Sequence, residues 1–329
     1  MLSGLSPRAK DVLVCRFGLG SDVTPGTLEE IGERYGITRE RVRQIENAAI
    51  SNIKKTGVLE ELGEVFEDLK KMIESFGGVV AEEDILAVVS NDQGTKNHVI
   101  FLLVLGEDFS FHKEDVHFKS RWSVNHQVAE KVHEALHTLY DSIAEDDLVA
   151  DDEIRSRFVK HLEDIHETYR VKDNLDRYLK ISKKIACNKL GEWGRAHSSK
   201  VKTRGIKDCA YLVLRRAGQP MHFKEVAKEI EKSFGKKTHV ATCHNELIKD
   251  KRFVLVGRGL YGLSEWGHTG GVVKEVIERI LKNAGEPLTK EEVIKQVLKE
   301  RLVKENTVLV NLQNKKFFKK TKDGLYTNL

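Results

Sequence analysis

The chain has 329 residues, 40% of them hydrophobic and 32% charged, enough for two or three domains of usual size, or for more small ones, on short linkers. Its longest apolar run, Val99 to Leu105, is far too short to span a bilayer, and its N-terminus lacks the basic-then-apolar layout of a secretory signal, which excludes a membrane partner and points to the cytoplasm. The formal charge of +4 conceals a swing: residues 1–56 carry nine Lys/Arg against seven Asp/Glu, residues 57–199 carry 18 against 29, and residues 200–329 carry 28 against 15. Phosphates would be repelled by such a centre and attracted to such a tail.

The first predicted elements lie in residues 27–55, TLEEIGERYGITRERVRQIENAAISNIKK. Thr27 is a good N-cap, and Glu30 three residues later completes a capping box. Leu28 and Ile31 then share an apolar face, and Gly36 ends the helix because it accepts a left-handed backbone at little cost. Thr38 caps a second helix in which Val42, Ile45, Ala49, Ile50 and Ile53 recur at helical spacing. Arg39, Glu40, Arg43 and Gln44 are left on its outer face near the N-terminal end, where a recognition helix meets base edges in the major groove. Arginine can hold guanine through two hydrogen bonds, glutamine can hold adenine, and glutamate can accept from the amino group of cytosine. Capping and periodicity alone fit a helical hairpin with water-facing arginines equally well.

The run LSPRAKDVLVCRFGL followed by TLEEIGERYGITRERVRQIE resembles region 4 of the sigma-70 family over about the first 56 residues. The resemblance implies double-stranded promoter DNA and core RNA polymerase as partners, with Arg39, Glu40, Arg43 and Gln44 reading a promoter element and Arg41 near the backbone. The family usually continues with a basic helix end; here Ala48, Ser51 and Asn52 stand, and only Lys54 and Lys55 are left to meet phosphates. The family's aromatic-rich, promoter-opening segment is not found in this sequence. By the resemblance, the chain is therefore expected not to start transcription unaided.

Behind this segment the sequence repeats weakly. CNKLGEWG at 187–194 and LYGLSEWG at 260–267 share L-x-E-W-G at a spacing of 73, Trp122 lies 71 residues before Trp193, and GRGLYGL at 257–263 returns as KDGLYTNL at 322–329. In the third copy, helices are expected at 206–217, 223–234 and 238–249, then strands at 253–256 and 260–263 around a Gly-Arg-Gly turn. Three helices and a hairpin make a winged helix. The fourth copy has helices at 272–283, 289–300 and 305–314 and strands at 317–318 and 325–326. The first two copies are more degenerate. One has helices at 65–76, 81–90 and 97–105 with strands at 109–111 and 116–118; the other has helices at 127–142, 151–164 and 173–182 with a hairpin at 185–193. The expected fold is mainly α: a helix-turn-helix (1–56), two degenerate winged-helix repeats (57–125, 126–199), a third (204–267) and a fourth (270–329).

The third copy, with RGIKDCAYLVLRRAGQPMHFKEVAKEI and HNELIKDKRFVLVGRGLYGLSEWG, resembles the HARE-HTH family from about Arg204 to Gly267. Related domains occur in the delta subunit of RNA polymerase, in chromatin proteins and fused to restriction enzymes, which implies association with DNA or the transcription machinery. Around its wing Lys251, Arg252 and Arg258 are candidates for phosphates, while Trp193, Tyr261 and Trp266 read as core residues of the wings.

Other signals are set aside. His112, His117, His126, His133 and His137 crowd one region, and His133 and His137 at i, i+4 could clasp zinc, but no carboxylate or cysteine completes a recognised pattern, so they read as surface histidines. Cys15, Cys187, Cys209 and Cys243 form no C-x-x-C pair and read as reduced thiols. Asp151-Asp152-Glu153 is the nearest acidic cluster for a nuclease, yet it sits at an ordinary helix start. No catalytic residue, metal or cofactor is expected, and the oligomeric state is left open. The leading expectation is a sigma-related DNA-binding transcription factor. The alternative is a polymerase-associated accessory subunit working mainly through protein contacts.

Overall fold

Strands of two to five residues, each laid against helices, organise most of the structure, a computed structural model that describes residues 1–267, 272–301 and 303–329. The chain divides into two units, Met1–Cys187 with Gly191–Val201, and Asn188–Leu190 with Lys202–Leu329. The residues around 270, where the fourth repeat was expected to begin, lie outside the described residues.

The first unit opens with three helices, α1 (Pro7–Phe17), α2 (Leu28–Tyr35) and α3 (Arg39–Lys55). There follow α4 (Gly63–Ser75), β1 (Val79–Ala81), α5 (Glu82–Val89), α6 (Gln93–Leu105), β2 (Ser110–His112) and β3 (Arg121–Ser123). The same order then returns as α7 (His126–Ser142), β4 (Val149–Ala150), α8 (Asp151–Lys160), α9 (Lys172–Ile181), β5 (Ile185–Cys187) and β6 (Glu192–Arg195). The second unit repeats it as α10 (Ile206–Ala217), β7 (Met221–His222), α11 (Phe223–Phe234), α12 (Val240–Lys249), β8 (Phe253–Gly257) and β9 (Leu260–Leu263). It ends with α13 (Val273–Ala284), α14 (Lys290–Glu300), α15 (Glu305–Leu312), β10 (Phe318–Lys320) and β11 (Tyr326–Asn328).

The fold is mainly α and built of winged-helix modules, with one strand more per sheet than a hairpin supplies. In the first three copies the last strand lies between the other two, all antiparallel. In the fourth, a bridge between Leu288 and Tyr326 takes the place of the leading strand. These leading strands are two or three residues long, too short for alternation to reveal.

Register aligns the copies better than the sequence does. Trp122 pairs with Val80, Trp193 with Val149, Tyr261 with Met221 and Tyr326 with Leu288, so one aromatic residue holds the same place in each central strand. The indole of Trp122 donates to Glu82 at 2.9 Å and that of Trp193 to Asp151 at 2.8 Å, each carboxylate opening the helix after the leading strand. Trp193 and Tyr261 are buried. Trp266 is half-buried in a 3-10 turn after β9 and is not the counterpart of Trp193, so the shared L-x-E-W-G string does not mark the repeat.

Local hydrogen bonding explains where other expected boundaries moved. The strand expected at 116–118 is a turn, because Asp115 accepts from the amides of His117 and Phe118 at 2.7 and 2.8 Å; the strand forms later, at Arg121–Ser123. The helix expected from residue 97 starts at Gln93, capped by Asp92, which accepts from the Thr95 amide at 2.7 Å. The helix expected to reach 164 stops at Lys160, and the chain turns to bury Leu162 and Ile165.

The modules share cores across the expected boundaries. Leu13, Ala49 and Ile53 of the opening helices form one apolar cluster with Phe101 and Leu105 of α6. Buried Asn97 of α6 donates to the carbonyls of Gly18 and Val23 at 3.0 and 2.7 Å. Val79, Ala81 and Phe118 pack into the core of the second copy, and the Tyr178 hydroxyl donates to the Gly77 carbonyl at 2.6 Å.

Candidate nucleic-acid interface

The capping chemistry of α2 and α3 sets the site. Thr27 Oγ1 accepts from the Glu30 amide at 3.2 Å while the Glu30 carboxylate accepts from the Thr27 amide at 2.7 Å, which also holds that carboxyl below its usual range. Gly36 ends α2 at φ 62°, and Thr38 Oγ1 then accepts from the Arg41 amide at 3.2 Å to start α3. A side chain on Gly32 would lie 2.7 Å from the Ile37 carbonyl oxygen, so the turn closes this tightly only over glycine. Val12, Ile31 and Val42 are buried together beneath, with Leu28, Ile37 and Ile45 packed against them. Arg16 ties α1 to the loop and to α3: it donates to the Gly26 carbonyl at 2.9 Å and lies 3.5 Å from the Glu46 carboxylate.

With Val42, Ala49 and Ile53 turned inward, Arg39, Glu40, Arg41, Arg43 and Gln44 are exposed along the first turns of α3, and Lys54 and Lys55 are exposed at its end. Four of these side chains are paired with each other. Arg43 donates to both Glu40 oxygens, Nε at 2.9 Å and Nη2 at 2.7 Å, and Arg41 donates to Gln44 Oε1 at 3.0 Å. The Arg43 hydrogen bond holds the Glu40 carboxyl below its usual range. Pairs of this kind on an exposed helix are weak, so the group is pre-ordered without being locked.

The three cations expected at the third wing part company. Lys251 and Arg258 are exposed. Arg252 is drawn inward: its Nη2 donates to Asp250 at 2.7 Å and to Asp208 at 3.1 Å, and its guanidinium lies 5.3 Å from the Tyr211 ring centroid. Asp208 is buried and, among the described residues, otherwise accepts only from the Arg204 and Gly205 amides, so moving Arg252 to a phosphate would leave a buried carboxylate without its ion partner. The sequence separation of that pair, 44 residues, explains why it was not foreseen.

The clustered histidines are not simply surface groups. Buried Arg121 of β3 donates from Nε to His133 Nε2 of α7 at 2.6 Å and stacks 4.9 Å over Phe118. His112 and His133 are half-buried with ring centroids 5.6 Å apart; His126 stacks on His112, and His137 meets His117 and Phe118. Burial first, then the Arg121 charge, push the His133 pKa down to about 3. Among the described residues no group of three or more His, Cys, Asp or Glu side chains could hold a metal ion. Asp151, Asp152 and Glu153 occupy the first turn of α8, where Arg155 lies 2.6 Å from Asp151 and Arg157 lies 2.5 Å from Glu153.

Comparison with known proteins bears on two segments. Residues 1–55 match the family model for sigma-70, region 4, and residues 204–266 match the HARE-HTH model, the helix-turn-helix domain shared with restriction endonucleases. The chain is 52% identical over 54 residues to the RNA polymerase sigma factor SigA1 of Synechococcus elongatus, covering 16% of this chain and 13% of that protein. It is 50% identical over 54 residues to the RNA polymerase sigma factor RpoD of Helicobacter pylori, covering 8% of that protein, and 47% identical over 64 residues to SigA of a Nostoc species, covering 16% of it. The match thus spans less than a fifth of any of these relatives, and what it identifies is the opening module, similar to sigma-70 region 4.

Proposed function

We propose that the chain is a DNA-binding transcription factor of sigma-related type, which recognises promoter DNA through α3 and acts with core RNA polymerase in the bacterial cytoplasm. The observation that carries this reading is the exposed set Arg39, Glu40, Arg43 and Gln44 at the N-terminal end of a capped helix, within a segment matching region 4. Arg43 and Gln44 are the base readers, for guanine and adenine in turn, and Glu40 accepts from cytosine. Before contact these groups satisfy one another, so a base must replace the internal pair. A correct bidentate base contact discriminates against the wrong base by about 1–3 kcal/mol, and the surface pair it displaces is weak. A wrong base offers no such return, and the helix keeps its own pairs. Selectivity then comes from exchange as well as from contact.

The test is titration of a promoter-length duplex with the full chain across a salt range, with and without core polymerase. Affinity should fall steeply with salt, and Lys54→Ala or Lys55→Ala should each flatten the log–log slope by about one unit per lost phosphate contact. No duplex binding without polymerase, together with retention of the chain on the core enzyme, would overturn this reading in favour of a polymerase-associated accessory subunit.

A further inference from the structure

The fourth module concentrates its charge on its wing. Residues 315–323 hold Lys315, Lys316, Lys319, Lys320 and Lys322 against the single Asp323, whereas the remainder of 272–329 carries eight Lys/Arg against seven Asp/Glu. All five lysines are exposed, and among the described residues none of them is in an ion pair. Elsewhere in the module Lys274 pairs with Glu278 at 3.5 Å and Arg279 with Glu300 at 2.5 Å, and the cations outside such pairs are spread over α13, α14 and the start of α15. Lys315, Lys319 and Lys320 border one cleft of about 560 Å³, so they converge in space as well as in sequence. The floor of the cleft includes Leu312, Phe318 and Tyr326, each under 10% exposed and already committed to the core. Charge, not apolar surface, is what this face offers.

The third helix of the module offers the opposite. The exposed positions in the first two turns of α15 are Glu305, Asn306, Thr307 and Val310, with no cation among them. With Lys304 at its N-cap as the one cation at this end, the helix has little to hold phosphates beside it.

We propose that the wing of the fourth module, and not its third helix, grips the phosphate backbone of double-stranded DNA without regard to sequence. Lysine suits that task, since a flexible ammonium meets phosphates as a point charge and carries no base code. The grip anchors the chain while α3 reads bases, and it rests on the proposed function only in taking duplex DNA as the partner.

The experiment measures binding of the full chain to a random-sequence duplex between 50 and 200 mM salt. Two variants of equal charge loss are compared: Lys319→Ala/Lys320→Ala/Lys322→Ala in the wing, and Lys290→Ala/Lys295→Ala/Lys299→Ala on the exposed side of α14. Each released phosphate contact removes about 0.9 from the log–log slope, so the wing variant should lose about two to three units and the helix variant almost none. Equal losses in the two variants would mean diffuse attraction by the whole tail and overturn the proposal. So would an unchanged duplex slope accompanied by lost binding of polyglutamate, which would make the wing a surface for acidic protein. Far-ultraviolet circular dichroism and the melting temperature confirm that both variants fold. Because a random duplex gives α3 nothing to read, failure of the wing is separable from failure of base recognition.

Discussion

Phe101→Ala should unfold the helix-turn-helix and the first winged module together, at a cost of about 3–5 kcal/mol. Phe101 is 1% exposed, and its ring centroid lies 5.0 Å from that of Phe17 in α1. Removing the ring opens a cavity lined by Leu13, Ala49, Ile53 and Leu105, residues drawn from both sides of the expected boundary at 56. Buried Asn97 reinforces the joint through two carbonyls of the α1–α2 segment, and those hydrogen bonds need the same packing to persist. A loss of this size is a large share of the roughly 5–15 kcal/mol that holds a typical domain folded. Native-state hydrogen exchange provides the check: protection of the α3 amides should fall with that of the α6 amides. If α3 keeps wild-type protection while α6 loses it, the two modules are independent and the shared core has no energetic weight.

Acid should destabilise the first unit through His133. The Arg121 Nε hydrogen points at His133 Nε2, which must therefore keep its lone pair and stay neutral in the folded chain. Its folded pKa is about 3 against the ordinary 6.5, a depression. The stability tied to neutral His133 is therefore complete above pH 6.5 and drains away as the pH falls toward 3, because the unfolded chain takes up a proton that the folded chain refuses. His112, His117, His126 and His137 surround the same point, with Asp115 3.7 Å from Arg121 and Glu130 3.1 Å from His126. After discounting for the part-exposed ring, the loss between pH 6 and pH 4 should be about 1–2 kcal/mol. His133→Gln supplies an acceptor for Arg121 that does not titrate, so the acid slope of its melting temperature should be visibly shallower. An equally steep slope in the variant would place the acid sensitivity elsewhere.

The opening module and the third copy were legible because each of their boundaries is written in local chemistry. Thr27 with Glu30, Thr38, and the left-handed glycines Gly36, Gly218 and Gly235 mark helix ends that the structure reproduces closely. The leading strands were not legible, since Val149–Ala150 and Met221–His222 are fixed by pairing with strands some 40 residues later and not by their own pattern. The shared core did leave a trace. The run Val99 to Leu105 is apolar on all sides, as a helix covered on two faces requires. Phe101 and Leu105, four residues apart, face the helix-turn-helix; Val99 and Leu103, also four apart, face the core of their own module. In the candidate site, the Arg43–Glu40 pair follows from i, i+3 spacing, whereas the inward turn of Arg252 depends on Asp208, far away in sequence in α10.

The most direct test of base reading by α3 is a binding-site selection on a random duplex library, using the full chain beside its Arg43→Ala and Gln44→Ala variants. The wild type should enrich a defined motif, and each variant should relax one position of it by about 1–3 kcal/mol of discrimination while total affinity changes less. A motif that survives both substitutions unchanged, or a wild type that enriches none, would contradict promoter recognition through this helix.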